Sequence, residues 1–331
     1  MVYPPTKLTR PVRRMIMVFL ITAFFVAAPL IIAYTAGYRY NWQTNQIEQT
    51  GVISIDVEPR DVEIIINGIH LEKRSPLRLT DRAPGSYRLE IKKTGFKTWQ
   101  KDITVVSKQT TYIKNISLFP NALPIRLSTS STDPLDALTG IYSPTSSSTV
   151  EYTDNQNVIW QYRSSTHSLS NSTVPIESLI LEAGTSLGRI LNINAFRAII
   201  ATDRGIEIIP RRGQNAIARA TLATDKIRLH PFTKEWLVWS PWEIWTIYED
   251  GHTSLLNRQS EAISDVLTLD RHGVLLLVTD TALIAFNPGY YTSQALWRGG
   301  KVERAAVDIP AKKIIFLGTV GEQRGMYELT Y

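Results

Sequence analysis

The chain has 331 residues, of which 44% are hydrophobic and 20% charged, and its formal net charge is +6. This composition is ordinary for folded proteins and excludes a collagen-like or wholly disordered chain, and the length suits roughly two or three domains. The absence of cysteine excludes disulfides, thiolate metal sites, a cysteine nucleophile and a lipid-modified N-terminal cysteine.

The first predicted element is a transmembrane helix over residues 15–36. Residues 15–34 contain no charged side chain, and a helix of that length spans about 30 Å, the thickness of the hydrocarbon core of a bilayer. Residues 1–14 contain no acidic side chain and four basic ones, which are Lys7, Arg10, Arg13 and Arg14. The positive-inside rule therefore predicts a cytoplasmic tail over residues 1–14, a single-pass anchor in the cytoplasmic membrane, and an extracytoplasmic remainder.

Two kinds of export signal also contain an apolar run near the N-terminus. A cleaved signal peptide has a shorter apolar region, of about 7–15 residues, that ends in a small-residue site. The best such site here, Val26-Ala27-Ala28, is followed directly by Pro29, which disfavours cleavage. A twin-arginine export signal at Arg13-Arg14 lacks the rest of its motif. A retained helix therefore remains the prediction.

Aromatic residues follow the apolar run at once: Tyr34, Tyr38, Tyr40 and Trp42. Aromatic side chains with a polar tip are enriched at the membrane–water interface. The pattern predicts an aromatic belt at the outer surface of the membrane.

A small β domain is predicted over residues 37–120. Apolar residues alternate with polar ones in three segments, at residues 53–57, 62–66 and 87–91, which is the period of half-buried strands. Asn67-Gly68 and Pro84-Gly85 are typical of tight turns. We expect a small antiparallel β-sandwich.

The motifs of this segment resemble the PEGA domain, a small all-β module common on bacterial surface and envelope proteins. In chain order they are Glu58-Pro59, Val62-Glu63-Ile64, Asn67-Gly68, Ser75-Pro76-Leu77 with Leu79, Pro84-Gly85 with Tyr87, and Lys93 with Gly95-Phe96. Two turns depart from the family pattern, because Lys73-Arg74 and Lys108 stand where glycine is common. The resemblance covers about seventy residues and implies a fold and an envelope location, without catalytic residues.

The remainder of the chain contains a repeated β pattern. Residues 121–150, rich in Ser and Thr, are interpreted as a linker or a first blade. In residues 151–331 an apolar strand, a polar turn and a second strand recur, and the alignment points are 40, 38, 38 and 40 residues apart, at Ile159, Ile199, Leu237, Leu275 and Ile315. Four-stranded propeller blades repeat every 40–45 residues, so this pattern predicts a degenerate β-propeller of about five to six blades. A pair of β-sandwiches is the alternative.

No catalytic or cofactor motif is found. The histidines are far from one another in sequence, and no metalloprotease, nucleophile-elbow or nucleotide-binding motif occurs. We therefore expect no enzymatic activity, no bound metal and no cofactor.

Two groups of residues are candidates for partner contact. Half of the eight tryptophans lie within ten residues, at Trp236, Trp239, Trp242 and Trp245. They suit either an exposed platform for sugar rings or peptides, or packing between blades. The second group is basic and suits contact with lipid headgroups or cell-wall phosphates, or solvated strand edges; it comprises Arg88, Lys92, Lys93, Lys97 and Lys101.

The predicted function is non-catalytic binding or scaffolding in the bacterial cell envelope. The expected partners are the lipid bilayer, through the helix, and envelope proteins or cell-wall glycan; the extracytoplasmic location argues against nucleic acid. The alternative is a propeller-based hydrolase or lyase acting on cell-wall glycan, which would require carboxylates such as Asp203, Asp280 or Glu249 to converge. A sensing role is weaker, because a tail of fourteen residues leaves little room for a signalling module.

Overall fold

A computed structural model describes ten segments of the chain, which are residues 10–41, 45–71, 74–127, 149–153, 159–163, 168–171, 189–193, 196–202, 204–210 and 220–331. The chain divides into two compact units, Met1–Phe119 and Pro120–Tyr331. The fold is mainly β, with one long apolar helix near the N-terminus.

The helix, α1, spans Arg10–Thr35 and includes Pro29. Its 26 residues correspond to about 39 Å, and none of them is buried. Length and composition allow it to cross a membrane, as either an anchor or a signal sequence would. The described helix includes five residues before the predicted start, and Pro11 among them is compatible with a first turn, where its missing N–H costs no helical hydrogen bond.

A two-stranded hairpin follows the helix, with β1 over Tyr38–Asn41 and β2 over Gln46–Gln49. The chain turns out of the helix at Gly37, whose φ of 84° suits glycine. In the hairpin Tyr40 pairs with Ile47, and Arg39 with Glu48.

Seven further strands form the β domain of the first unit. They are β3 (Gly51–Glu58), β4 (Glu63–Ile66), β5 (Ile69–Leu71), β6 (Leu77–Arg82), β7 (Gly85–Lys92), β8 (Trp99–Val105) and β9 (Thr110–Ser117). One sheet has the order β6-β3-β9 and the other β5-β4-β7-β8, a sandwich-like arrangement. Alternation places Ile53, Ile55 and Val57 of β3 in the core, as the sequence predicts.

One pairing in this domain differs from the expected antiparallel sandwich. Strands β3 and β9 run parallel, with Ile53 beside Thr111 and Ile55 beside Ile113. The chain connects them through the second sheet and not through a hairpin, so nothing forces opposite directions. The expectation of a purely antiparallel domain is therefore wrong at this pair.

Turn chemistry in the domain agrees with the sequence motifs. Asn67 and Gly68 have φ values of 49° and 80° and join β4 to β5, which confirms the predicted tight hairpin. Lys108 has a φ of 64°, a conformation that glycine adopts without strain. This explains why glycine suits that position in the family pattern.

The second unit contains nineteen strands in its described part. They are β10 (Ile125–Arg126), β11 (Thr149–Thr153), β12 (Ile159–Arg163), β13 (Ser168–Asn171), β14 (Arg189–Ile193), β15 (Arg197–Thr202), β16 (Gly205–Pro210), β17 (Ala220–Leu222), β18 (Ile227–Leu229), β19 (Trp236–Trp239), β20 (Glu243–Ile247), β21 (Thr253–Arg258), β22 (Ile263–Thr268), β23 (Leu275–Thr279), β24 (Ala282–Asn287), β25 (Thr292–Arg298), β26 (Val302–Asp308), β27 (Lys313–Val320) and β28 (Gln323–Thr330).

These strands form successive antiparallel sheets. The sheets are β11-β12-β13, β14-β15-β16-β17, β18-β19-β20-β21, β22-β23-β24-β25 and β10-β28-β27-β26. The five alignment points of the sequence repeat lie in five different sheets, in β12, β15, β19, β23 and β27. Consecutive four-stranded sheets are consistent with a β-propeller, while the number of blades stays a prediction.

The core of this unit lies between neighbouring sheets. Every residue of β16, β19 and β23 is buried, as expected for strands covered on both faces. One cluster joins Leu237 and Ile244 to Val266, Leu277 and Phe286 of the following sheet.

The last sheet is completed by the first strand of the unit. Strand β10 lies at its edge, with Ile125 paired to Glu328 and Arg126 to Tyr327. The Leu127 N–H donates to the Met326 carbonyl at 2.9 Å. The segment 121–150 is therefore in part a structural strand, and residues 128–148 of it lie outside the described residues.

Candidate partner-binding surfaces

Two of the four clustered tryptophans are buried in β19. Trp236 is 7% exposed and Trp239 is 4% exposed. Their side chains lie on opposite faces of the strand: Trp236 packs in a cluster with Ile199 and Ile208 of the preceding sheet, and Trp239 in a cluster with Ile263 of the following sheet. One tryptophan of β19 therefore packs against each of the two neighbouring sheets. For these two residues the structure agrees with packing between sheets and not with an exposed platform.

Trp245 lies in β20 and is half-buried against the same cluster as Trp236. Its Nε1 donates to Glu243 Oε2 at 3.2 Å. Glu243 also accepts from Arg258 Nε at 2.9 Å. The polar edge of this indole is thus engaged within its own sheet.

Trp242 is 54% exposed and lies in the turn between β19 and β20. Its backbone N–H donates to Ser240 Oγ at 3.3 Å, and its backbone carbonyl accepts from the Gln259 N–H at 2.9 Å. The turn therefore fixes its backbone and leaves the indole in solvent. The four tryptophans do not form one exposed platform; contact of Trp242 with a partner stays a prediction.

Three residues of the basic group are paired with carboxylates. Lys92 Nζ lies 2.8 Å from Glu90 Oε2, and Arg88 Nε lies 3.8 Å from Glu90 Oε1. The hydrogen bond from Lys92 lowers the pKa of Glu90 below its ordinary value. Lys93 Nζ lies 2.8 Å from Asp61 Oδ1, and this bond lowers the pKa of Asp61. These pairs reduce the positive charge that the surface can offer to an anionic partner.

The basic residues also lie on different faces of the domain. Arg88 and Lys92 alternate in β7 with Leu89, which is buried in the core. Lys101 pairs with Leu89 across the sheet, so it lies on the core-facing side at the margin of the sandwich. The structure thus does not gather the group into a single patch, and contact with an anionic surface stays a prediction.

The carboxylates named for a glycan hydrolase do not converge in the described residues. Asp280 lies in the turn between the second and third strands of its sheet, and Glu249 in the turn between the third and fourth strands. Successive turns of an antiparallel meander lie at opposite ends of the sheet. Strand β22 starts beside the β19–β20 turn, since the Ile263 N–H donates to the Pro241 carbonyl. This contact places the β23–β24 turn, which contains Asp280, at the same end as the β19–β20 turn. Glu249, in the β20–β21 turn, lies at the opposite end. Asp203 lies outside the described residues.

A repeated polar position, absent from the sequence predictions, lies at or just after the end of β18, β22 and β26. It is occupied by His230, Asp270 and Asp308. Each side chain accepts a backbone N–H of the following turn: from Thr233 at 3.1 Å, from His272 at 2.8 Å and from Ala311 at 3.1 Å respectively. The signal was available, because these residues repeat at 40 and 38 residues.

Two basic side chains of this unit are buried, those of His230 and Arg197. His230 is 3% exposed; burial lowers its pKa, and Asp270 opposes that shift. Arg197 is 2% exposed, and burial lowers its pKa to about 10, which leaves it charged at neutral pH. Its Nε donates to the Tyr248 carbonyl of the next sheet at 3.1 Å, and its Nη1 to Asn192 Oδ1 at 2.8 Å. Arg197 therefore joins two sheets.

Within the described part of the chain no three His, Asp or Glu side chains are placed to hold a metal.

Three solved structures are distantly similar to the chain. Hsv2 from Kluyvelomyces marxianus is 8% identical, with 73% of this chain and 69% of that chain covered and a TM-score of 0.30. The tricorn protease is 11% identical, with coverage of 85% and 40% and a TM-score of 0.30. The extracellular domain of a proposed one-component system from B. thetaiotaomicron is 11% identical, with coverage of 51% and 25% and a TM-score of 0.29. This chain therefore spans a quarter of the length of the last of these.

No curated protein is significantly similar to the chain in sequence. The family model of the PEGA domain matches residues 50–118, which coincide with strands β3 to β9 and with the motifs found by inspection. Residues 50–118 therefore form a PEGA domain.

Proposed function

We propose that this protein is a single-pass membrane protein of the bacterial cell envelope that binds or scaffolds envelope components without catalysis. The observation that carries the proposal is α1. It is long enough to cross a bilayer and buries none of its residues against the protein. A helix with apolar side chains exposed along its whole length requires an apolar surrounding, and lipid provides one.

Orientation follows from charge. Arg10, Arg13 and Arg14 begin the helix, and no acidic residue precedes them, which favours a cytoplasmic N-terminus. The PEGA domain and the second unit then lie outside the membrane. This location suits the PEGA resemblance and leaves cell-wall glycan and envelope proteins as partners.

A labelling experiment tests the topology. Because the sequence contains no cysteine, an introduced cysteine is the only thiol that can be labelled. Thr94→Cys lies in the β domain and Thr6→Cys in the predicted cytoplasmic tail. A membrane-impermeant maleimide should label Thr94→Cys in intact cells and Thr6→Cys only after the membrane is opened. Equal labelling of both in intact cells contradicts the topology. Loss of the first thirty residues from the mature mass would instead identify a signal peptide.

A second experiment tests binding through Trp242. The full chain in detergent should be retained on purified cell-wall glycan or cross-linked to an envelope protein, and Trp242→Ala should weaken that retention. Tyr291→Ala is the matched control, because Tyr291 is an exposed aromatic in a turn at the other end of the neighbouring sheet. Equal retention of both variants and the unmodified chain would show that Trp242 does not contribute to binding.

A non-catalytic role is supported by the separation of Asp280 from Glu249. Glycoside hydrolysis uses two carboxylates on either side of one bond, within about 10 Å of each other. Incubation of the full chain with cell-wall glycan should release no new reducing ends. Release that disappears in Asp280→Asn would favour the hydrolase instead.

A further inference from the structure

The hairpin β1–β2 presents an uncovered apolar face directly after α1. Tyr38 is 40% exposed, Tyr40 is 47% exposed and Ile47 is 69% exposed. Tyr38 and Tyr40 are two residues apart, and Ile47 pairs with Tyr40 across the strands, so all three lie on one face. The hairpin is a sheet of its own with two strands, and such a hairpin is marginally stable in water. Burial of this apolar face against another apolar surface would therefore stabilise the hairpin.

The opposite face of the hairpin is tied to the helix and to the PEGA domain by Arg39. The Arg39 guanidinium lies 3.8 Å from the centre of the Tyr34 ring, and its Nη1 donates to the Tyr34 carbonyl at 2.8 Å. Its Nη2 lies 2.8 Å from Asp81 Oδ1 at the end of β6. One side chain thus connects the last turn of α1 to the β domain.

Further hydrogen bonds fix the exit from the helix. Gln49 Nε2 donates to the Ala36 carbonyl at 2.6 Å, and the Thr50 N–H donates to the Gly37 carbonyl at 2.9 Å. Both strands of the hairpin are therefore held within a few residues of the point where α1 ends at Thr35. The apolar face is placed by covalent and hydrogen-bonded connection at the end of the membrane-spanning segment.

We propose that the hairpin lies in the headgroup region of the outer leaflet, with Tyr38, Tyr40 and Ile47 against lipid, and that Arg39 holds the PEGA domain at a fixed orientation above the membrane. The inference rests on the proposed function, since it requires α1 to remain as an anchor. Tyrosine suits this depth because its ring is apolar and its hydroxyl is hydrated. The occupant of the face is a lipid surface and not a second protein, because continuity with α1 places it there.

Depth-dependent quenching tests the inference on the full chain in phosphatidylcholine vesicles. Three single-cysteine variants carry an environment-sensitive fluorophore: Ile47→Cys in the hairpin, Ile21→Cys within α1, and Ile69→Cys as the control. Ile69 is 68% exposed against 69% for Ile47 and lies in β5, outside the hairpin. We expect quenching of Ile47→Cys by headgroup-labelled lipid, of Ile21→Cys by acyl-chain-labelled lipid, and of Ile69→Cys by neither.

The three labels separate the failure of this inference from failure of the anchor. Deep quenching at Ile21 without quenching at Ile47 overturns the hairpin proposal and leaves the anchor standing. Absence of quenching at Ile21 overturns the anchor. A blue-shifted Ile47 label that no labelled lipid quenches means that a protein covers the face, and this also overturns the proposal.

The role of Arg39 needs a separate measurement. A donor at Thr94→Cys and acceptor lipids report the distances from the PEGA domain to the membrane surface. Arg39→Gln should broaden the distribution of these distances. Arg78→Gln, an exposed arginine of the same strand as Asp81, should leave it unchanged. An unchanged distribution in Arg39→Gln overturns the orienting role of Arg39.

Discussion

At the scale of single residues, burial separates side chains that look alike in the sequence. Trp239 and Trp242 are three residues apart, yet one is 4% and the other 54% exposed. The difference arises because Trp239 ends a strand covered on both faces, whereas Trp242 lies in the following turn. A count of aromatic residues found the cluster, and only the strand and turn boundaries distinguish its members.

Truncation of these two tryptophans should have different effects on stability. Trp239→Ala leaves a cavity between two sheets and should lower the free energy of unfolding by about 3–5 kcal/mol. Trp242→Ala removes an exposed side chain and should change it by less than about 1 kcal/mol. Urea unfolding followed by circular dichroism measures both. Equal destabilisation would contradict the packing described for Trp239.

The buried His230 makes a pH-dependent contribution to stability. Burial lowers its pKa in the folded protein below the ordinary 6.5, so the unfolded chain takes up the proton first as the pH falls. The contribution is complete above pH 6.5 and is lost as the pH falls toward the lowered value.

Replacement of His230 by asparagine isolates this effect. The Asn side chain can still accept the Thr233 N–H, as Asp270 and Asp308 accept in their own turns, but it does not titrate. We expect His230→Asn to lose less stability than the unmodified chain between pH 7.5 and pH 5 in urea unfolding. Parallel losses in the two proteins would show that His230 does not titrate as described.

At the scale of elements, local patterns predicted most strands and few of their partners. Alternation identified β3 and β7, and the repeat placed one strand in each of the five sheets of the second unit, because these signals come from nearby residues. The parallel pairing of β3 with β9 and the position of β10 depend on distant residues. Arg126, for example, donates to Gln323, which is 197 residues away. No local pattern encodes such a contact.

The same limit applied to the candidate surfaces. The basic residues in and just after β7 were visible as a charge cluster, but their carboxylate partners were not all nearby in sequence. Asp61 pairs with Lys93 across 32 residues. Conversely, the turn residues at His230, Asp270 and Asp308 could have been predicted, since the repeat period already aligned them.

Close approach between a loop and a strand leaves no room for a side chain at Gly300. A Cβ atom there would lie 1.7 Å from the Thr319 carbonyl oxygen of β27, so the backbone must move. Gly300→Ala should lower the free energy of unfolding by about 1–3 kcal/mol. Gly289→Ala is the matched control: its Cβ would meet only the Asn287 side chain, at 3.3 Å, and its effect should stay within about 0.5 kcal/mol. Thermal or urea unfolding compares them, and equal values would contradict the steric argument.

At the scale of the whole molecule, the second unit is closed by its own first strand. Strand β10 enters the sheet that also contains the C-terminal strand β28. The two ends of the unit are thereby held in one sheet. This closure rests on the pairing of two residues, Ile125 and Arg126, with β28.

A proline at the end of β10 should weaken this closure. Leu127→Pro removes the N–H that donates to the Met326 carbonyl and should lower the free energy of unfolding of the second unit by about 1–3 kcal/mol. Leu123→Pro is the control, because Leu123 is 80% exposed and precedes the strand. Hydrogen exchange of β28 amides should rise in Leu127→Pro only. Unchanged exchange in that variant would show that β10 does not secure the sheet.

The position of β10 also leads to an expectation about mechanical load. In the proposed anchored protein, tension between the membrane and a partner bound by the second unit would travel along the chain through Pro120 and reach β10 before any other strand of that unit. The resistance there consists of a few hydrogen bonds, among them Leu127 to Met326 at 2.9 Å. Release of β10 lengthens the tether while the sheet β26-β27-β28 keeps its own pairings. In the proposed anchored protein we therefore expect the junction to act as an extensible link that yields before the sheet β26-β27-β28 does.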